Sequence, residues 1–210
     1  MPNGHPGARL CQNRPAAPPP RLFIPSYPPP PCREGILRAA RSLRAAVANG
    51  ADMTAREDLS VASVLGGLCL ANAKLGAVHG YASVLGGMFE YAPHGAICAA
   101  LMPPVFRKNA EKLAALAEAG DADARQRLAR LADVARIVTG SDTATVAQGA
   151  TWLETLVRDL AVPPLSQLCV GIQPGQLKEI AEATAVASST KGNPVSLTVA
   201  ELEEILRRTF

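Results

Sequence analysis

Aromatic residues are scarce in this 210-residue chain: one Trp, three Tyr and four Phe make up 4 %, although 48 % of the residues are hydrophobic. The apolar content is therefore mostly Ala, Leu and Val, which suits packed helices better than a β-sandwich rich in aromatic and β-branched residues. Long apolar runs are missing too. None reaches the roughly 18 residues of a membrane span, because Lys74, His79, Glu90 and Pro103-Pro104 interrupt the best candidates. No membrane partner is expected. The N-terminus has no apolar stretch of signal-peptide length, and its prolines oppose the amphipathic helix of a transit peptide. The five cysteines (Cys11, Cys32, Cys69, Cys98 and Cys169) are odd in number, widely spaced and never arranged C-x-x-C. That pattern argues against a disulfide framework or a structural zinc site and fits a reducing, cytoplasmic setting. Acidic residues are absent from positions 1–33, where Arg9, Arg14, Arg21 and Arg33 contribute +4; the net charge of +3 then leaves 17 basic against 18 acidic residues, or −1, in 34–210. A nearly neutral remainder is a poor phosphate-tracking surface, so no nucleic-acid partner is expected.

What is present divides the chain in two. Residues 1–31 hold eleven of the eighteen prolines, and with few backbone donors and little to bury they read as a disordered, polyproline-like arm over 1–33. From residue 34 to residue 210 the pattern is helical. Ile36, Ala40, Leu43 and Val47 make one stripe ending at Asn49-Gly50, a left-handed stop. Thr54-Ala55-Arg56-Glu57 has the form of a capping box, and the small residues of the helix that follows, to about Ala73, mark it as central and buried. Gly86-Gly87, Pro93, His94-Gly95 and Pro103-Pro104 imply a short helix, a loop and a kinked helix. Further helices are expected at about 110–119, 122–139, 144–160, 174–187 and 198–208, with Gly140 as a stop, Thr198-x-x-Glu201 as a capping box and Pro174 in a first turn. The fold class is all-α, a bundle of about seven to nine helices.

Few residues carry chemistry. With His5 in the arm, His79 and His94 remain, each followed by Gly, fifteen residues apart in the one irregular segment. They could share a metal, or one could cap a helix while the other packs in the core. Two imidazoles fall short of the three or four protein ligands of a catalytic divalent ion. Glu90 is a weak third candidate, because Pro93 breaks the helical geometry between it and His94. Cys69 and Cys98 read as small apolar core residues, Trp152 with Leu153, Leu156 and Leu160 as core, and the arginines and aspartates of 121–136 as a solvated helix face. No G-x-G-x-x-G, P-loop or nucleophile elbow occurs.

Four pieces of the central segment resemble the C-terminal helical domain of the iron-containing alcohol dehydrogenases: Leu75-Gly-Ala-Val-His79-Gly80, Leu85-Gly-Gly-Met-Phe89, Ala92-Pro-His94-Gly95-Ala96 and Leu101-Met-Pro-Pro-Val105 with Asn109. The tail Lys191-Gly-Asn-Pro194 with Leu197-Thr198 is similar to that family's C-terminus. The resemblance implies that His79 and His94 are two ligands of a catalytic divalent metal, iron or sometimes zinc. It also implies hydride transfer between an alcohol or aldehyde and NAD or NADP, with the metal as Lewis acid. A partner subunit, or self-association through a surface that normally packs on another domain, is expected as well.

The sequence departs from the family at several points. Ser83 stands where members often carry a further His near the cofactor, and Val84 where Pro is usual; Glu90-Tyr91 lengthens the loop between the two histidines by about one residue. The family's other metal ligands and its nucleotide-binding domain belong upstream of residue 34, where this chain has the proline-rich stretch. The chain therefore reads as a truncated dehydrogenase, with residues 1–31 resembling a GC-rich gene translated in a shifted frame. The alternative is a non-catalytic helical interaction module that has lost metal binding.

Overall fold

A computed structural model describes residues 30–210, and the proline-rich stretch before Pro30 lies outside the described residues. The described chain runs α1 (Pro30–Ala48), α2 (Met53–Asn72), α3 (Ala77–Met88), α4 (His94–Glu118), α5 (Ala122–Thr139), α6 (Val146–Asp159), α7 (Leu165–Leu168), α8 (Leu177–Val186) and α9 (Val199–Thr209). Short 3-10 turns at Pro174–Gln176 and Ser188–Gly192 flank α8. No strand occurs among the described residues, as the scarcity of aromatic and β-branched alternation implied. No single described helix is long and apolar enough to cross a membrane.

Several boundaries follow from local chemistry. Asp121 accepts from the backbone N–H groups of Asp123 and Ala124 to open α5, and Gly140, at φ 68°, closes it in the left-handed region. Thr198 and Glu201 form the expected reciprocal box at the start of α9, and Thr145 with Gln148 forms another at α6. α2 begins differently from expectation. Asp52 is its cap, accepting from Ala55 N at 3.0 Å, so the Thr54–Glu57 box does not form; Asp is the stronger N-cap and starts the helix two residues earlier. α1 begins at Pro30, within the span expected to be an arm, and proline's fixed φ suits a first turn.

The core is built by α3, α4, α8 and α9 around Leu85, Ile97, Leu101, Leu113, Ile180, Leu202 and Leu206, all at most 1 % exposed. Tyr81 is fully enclosed there and its hydroxyl donates to Leu202 O at 2.7 Å; burial pushes its phenol far up. Lys108–Glu204 and Lys112–Glu201, each 2.7 Å, tie α4 to α9 at the rim of this core. α4 runs unbroken through Pro103-Pro104 and takes in the helix expected separately at 110–119. A proline pair costs several kcal/mol in an isolated helix, but Leu101, Pro103, Val105 and Phe106 are all buried around it, and tertiary packing overrides the local penalty.

Two further expectations fail. α2 is not a central buried helix: only Ala55 and Asp58 are buried, while Val61, Val64, Leu68 and Leu70 are 40 %, 65 %, 52 % and 54 % exposed. It packs along α1 and makes no comparable contact with any other described element. Small residues allow a close neighbour but do not supply one. Trp152, Leu153, Leu156 and Leu160 are half-buried rather than core, and Arg44 lies over the Trp152 ring, 5.0 Å from its centroid. The arginines of 121–136 behave as expected in part. Arg127 pairs with Asp123 on α5 but also donates to Pro194 O at 2.7 Å, and Arg136 holds the buried Asp133 at 2.6 Å.

Candidate metal centre

His79 lies in the first turn of α3, where the helix itself leaves backbone N–H groups without partners. The cap residue is Gly76, which has no side chain to offer. Asn193, from the tail, takes the role instead: its Oδ1 accepts from Ala77 N at 3.1 Å. The same side chain exchanges hydrogen bonds with Asn109 of α4, Nδ2 to Oδ1 at 2.7 Å and Nδ2 of Asn109 to Oδ1 at 3.3 Å, and donates to Val195 O at 2.8 Å. One amide thus joins the start of α3, the middle of α4 and the tail. Close packing adds to this. A Cβ on Gly192 would overlap Leu75 O, and one on Gly80 would overlap Thr190 Oγ1, so both glycines are needed for the tail to lie against α3.

His94 is the first residue of α4, after Pro93 at the cap. The two histidines converge: Nε2 of His94 stands 3.3 Å from Nδ1 of His79, with ring centroids 5.4 Å apart. Two nitrogens bound tetrahedrally to one ion at about 2.05 Å would stand roughly 3.3 Å apart. A hydrogen bond from one neutral ring to the other satisfies the same distance, so metal affinity separates the two arrangements. Either arrangement requires a neutral His79. Partial burial and the neighbouring His94 both lower its pKa from the usual histidine range. The longer loop does not keep the rings apart, because Glu90 and Tyr91 bulge outward, Tyr91 being 88 % exposed.

A third donor joins the pair. Cys98, half-buried on α4, belongs with His79 and His94 to a group whose ligand atoms all lie within 4.8 Å of one another. It is a partly enclosed thiol beside two imidazoles rather than the purely apolar filler its composition suggested. The signal was its position four residues after His94, one turn along the same face. Burial pushes the Cys98 thiol upward. Glu90 is not among the gathered donors. Ser83 is exposed, one turn beyond His79 on α3.

Comparison with known proteins gives the family of the chain. The sequence pattern described as "Fe-containing alcohol dehydrogenase family, C-terminal" matches residues 32–210. The chain belongs to the iron-containing alcohol dehydrogenase family. It is 33 % identical over 183 residues to a 1,3-propanediol dehydrogenase of Klebsiella pneumoniae, covering 84 % of this chain and 43 % of that protein. It is 30 % identical over 174 residues to a choline dehydrogenase of Bacillus subtilis, covering 82 % and 40 %. Among solved structures, a 1,3-propanediol oxidoreductase superimposes with a TM-score of 0.69 at 29 % identity, covering 85 % of this chain and 44 % of that one. The alcohol dehydrogenase of Oenococcus oeni gives 0.67 at 28 % identity, covering 86 % and 44 %. The all-helical fold is therefore that of the family's C-terminal part, and the chain spans about two-fifths of the length of the curated relatives it matches.

Proposed function

We propose that the chain works in an alcohol dehydrogenase, interconverting a small alcohol and its aldehyde with NAD or NADP as hydride carrier, and that His79 and His94 hold its divalent metal. The observation that carries the reading is the 3.3 Å approach of His94 Nε2 to His79 Nδ1 in a chain of this family. A bound iron or zinc ion supplies Lewis acidity that lowers the pKa of an alcohol oxygen. The rest is the work of the chain's own residues. His79 offers a lone pair because its partial burial disfavours the protonated ring. Asn193 and Asn109 fix the turn that aims it. His94 is exposed, which leaves the face of the centre open to a small substrate. The odd number and wide spacing of the cysteines, never arranged C-x-x-C, fit a reducing compartment such as the cytoplasm.

A second reading is favoured by α2. Its exposed Val61, Val64 and Leu68 lie at i, i+3 and i+7, an unpartnered apolar stripe of the kind that docks on another protein or a second copy. In that reading the chain is a helical interaction module without a metal. Calorimetric titration of the full chain with zinc separates the two: the metal-centre reading expects binding at one equivalent that His79→Ala weakens at least about tenfold. Unchanged affinity in His79→Ala would leave the interaction module in its place.

A further inference from the structure

We infer that Cys98 is a third protein ligand of the same ion, making a two-histidine, one-cysteine centre that selects a thiophilic metal of the zinc type. The inference rests on the proposal that His79 and His94 hold a metal, and it adds a donor outside the two His-Gly motifs that carry the family resemblance.

The geometry is helical. His94 opens α4 and Cys98 follows four residues later, so the two side chains stack on one face. Helical side chains lean toward the N-terminus, which tilts the Cys98 sulfur back over the turn that starts with His94. His79 enters from the first turn of α3, and the three ligand atoms then lie within 4.8 Å of one another. A tetrahedral ion with nitrogen at about 2.05 Å and sulfur at about 2.3 Å needs nitrogen–sulfur separations of roughly 3.6 Å. Closing the remainder takes about 1 Å, within the reach of a cysteine rotamer.

Burial supports the same assignment. Cys98 is half-buried and packs against the edge of the main core, whereas His94 is exposed. The sulfur therefore approaches the ion from the protein side. Thiolate with imidazole favours zinc, cobalt and copper over magnesium or manganese, which prefer carboxylate and carbonyl oxygen. On binding, the Cys98 S–H bond breaks, a sulfur–metal bond forms and the proton leaves to solvent.

Cobalt(II) reports on the bond directly, because a thiolate ligand adds a charge-transfer band in the near ultraviolet. The full chain is titrated with cobalt(II) alongside Cys98→Ser, Cys98→Ala and His79→Ala. Circular dichroism confirms that each variant folds. The expected result is a band that saturates at one equivalent in the wild type and is absent from both Cys98 variants, with affinity for zinc at least about tenfold weaker in them. Zinc is also expected to protect Cys98 from alkylation, read by peptide mass spectrometry with the other cysteines as internal controls. Cobalt bound without the band, or a band that survives in Cys98→Ser, overturns the inference while leaving the two-histidine proposal standing. Failure of the wild type to bind either metal overturns both.

Discussion

Gly80 follows His79 and Gly95 follows His94, and as sequence the two His-Gly pairs look alike. They differ in structure. A Cβ on Gly80 would overlap Thr190 Oγ1 outright and lie 3.3 Å from Thr190 Cβ and 3.4 Å from Thr184 Cγ2, whereas a Cβ on Gly95 meets nothing within 4 Å. Ordinary carbon contacts begin near about 3.5 Å, so in Gly80→Ala the Thr190 hydroxyl must retreat by on the order of 1 Å. Thr190 Oγ1 donates to Thr184 O at 2.6 Å, and that bond is lost in the retreat. Overpacking costs about 1–3 kcal/mol and the lost hydrogen bond about 0.5–1.5 kcal/mol, since Thr184 O still accepts from Ala187 N, against a helix-propensity gain of about 1 kcal/mol for replacing glycine. The net is a destabilisation of roughly 2 kcal/mol, or a thermal midpoint lower by roughly 4–8 °C for a domain of this size. Gly95→Ala, with only the propensity term, is expected to leave the midpoint unchanged or raise it. Thermal unfolding followed by far-ultraviolet circular dichroism measures both. Adding Thr190→Ala to Gly80→Ala should restore part of the loss, since the overlapping hydroxyl is gone. A Gly80→Ala midpoint at or above wild type would refute the claim that the tail packs this closely on α3.

Two other perturbations probe separate parts of the molecule. Asp58 accepts from Arg41 Nε at 2.5 Å, Arg41 Nη2 at 2.7 Å, Ser42 Oγ at 2.6 Å and Arg38 Nη1 at 2.8 Å, and the hydrogen bonds from Arg41 and Ser42 hold its carboxyl well below the usual range. A carboxylate depressed in the folded state stabilises above its unfolded pKa of about 3.9 and loses that contribution as pH falls further. Urea midpoints of the wild type should therefore drop below about pH 4, and Asp58→Asn should be less stable at neutral pH and lose less on acidification; parallel curves would discount the cluster. Asn193→Ala removes the cap on Ala77 and the pair with Asn109, at about 1–2 kcal/mol for the cap. Faster hydrogen exchange at residues 77–80 and weaker zinc binding are expected, and exchange unchanged there would show that Asn193 does not hold the turn of His79.

Sequence reasoning worked best where a signal is local. α5 starts at Asp121 and stops at Gly140 because a carboxylate cap and a left-handed glycine act within a turn of themselves; Thr198 and Glu201 do the same for α9. His79 and His94 were recognisable as a candidate pair from their spacing and their family-like surroundings. What depends on distant partners was not legible. The small residues of α2 suggested burial, but exposure is decided by what packs on a helix, and among the described elements only α1 does so extensively. The Pro103-Pro104 pair read as a kink ahead of a separate helix at 110–119, yet α4 is continuous through it among buried side chains. Asn193 as the cap of a helix more than a hundred residues away leaves no local trace, and Cys98 was hidden by its resemblance to an ordinary core cysteine.

Histidine side-chain resonances followed by NMR during a zinc titration of the full chain test the central claim most directly. The account predicts that the His79 and His94 rings shift together, saturate at one equivalent and leave the His5 ring untouched. Movement of only one of the two rings, or of neither, at one equivalent would contradict a shared metal centre.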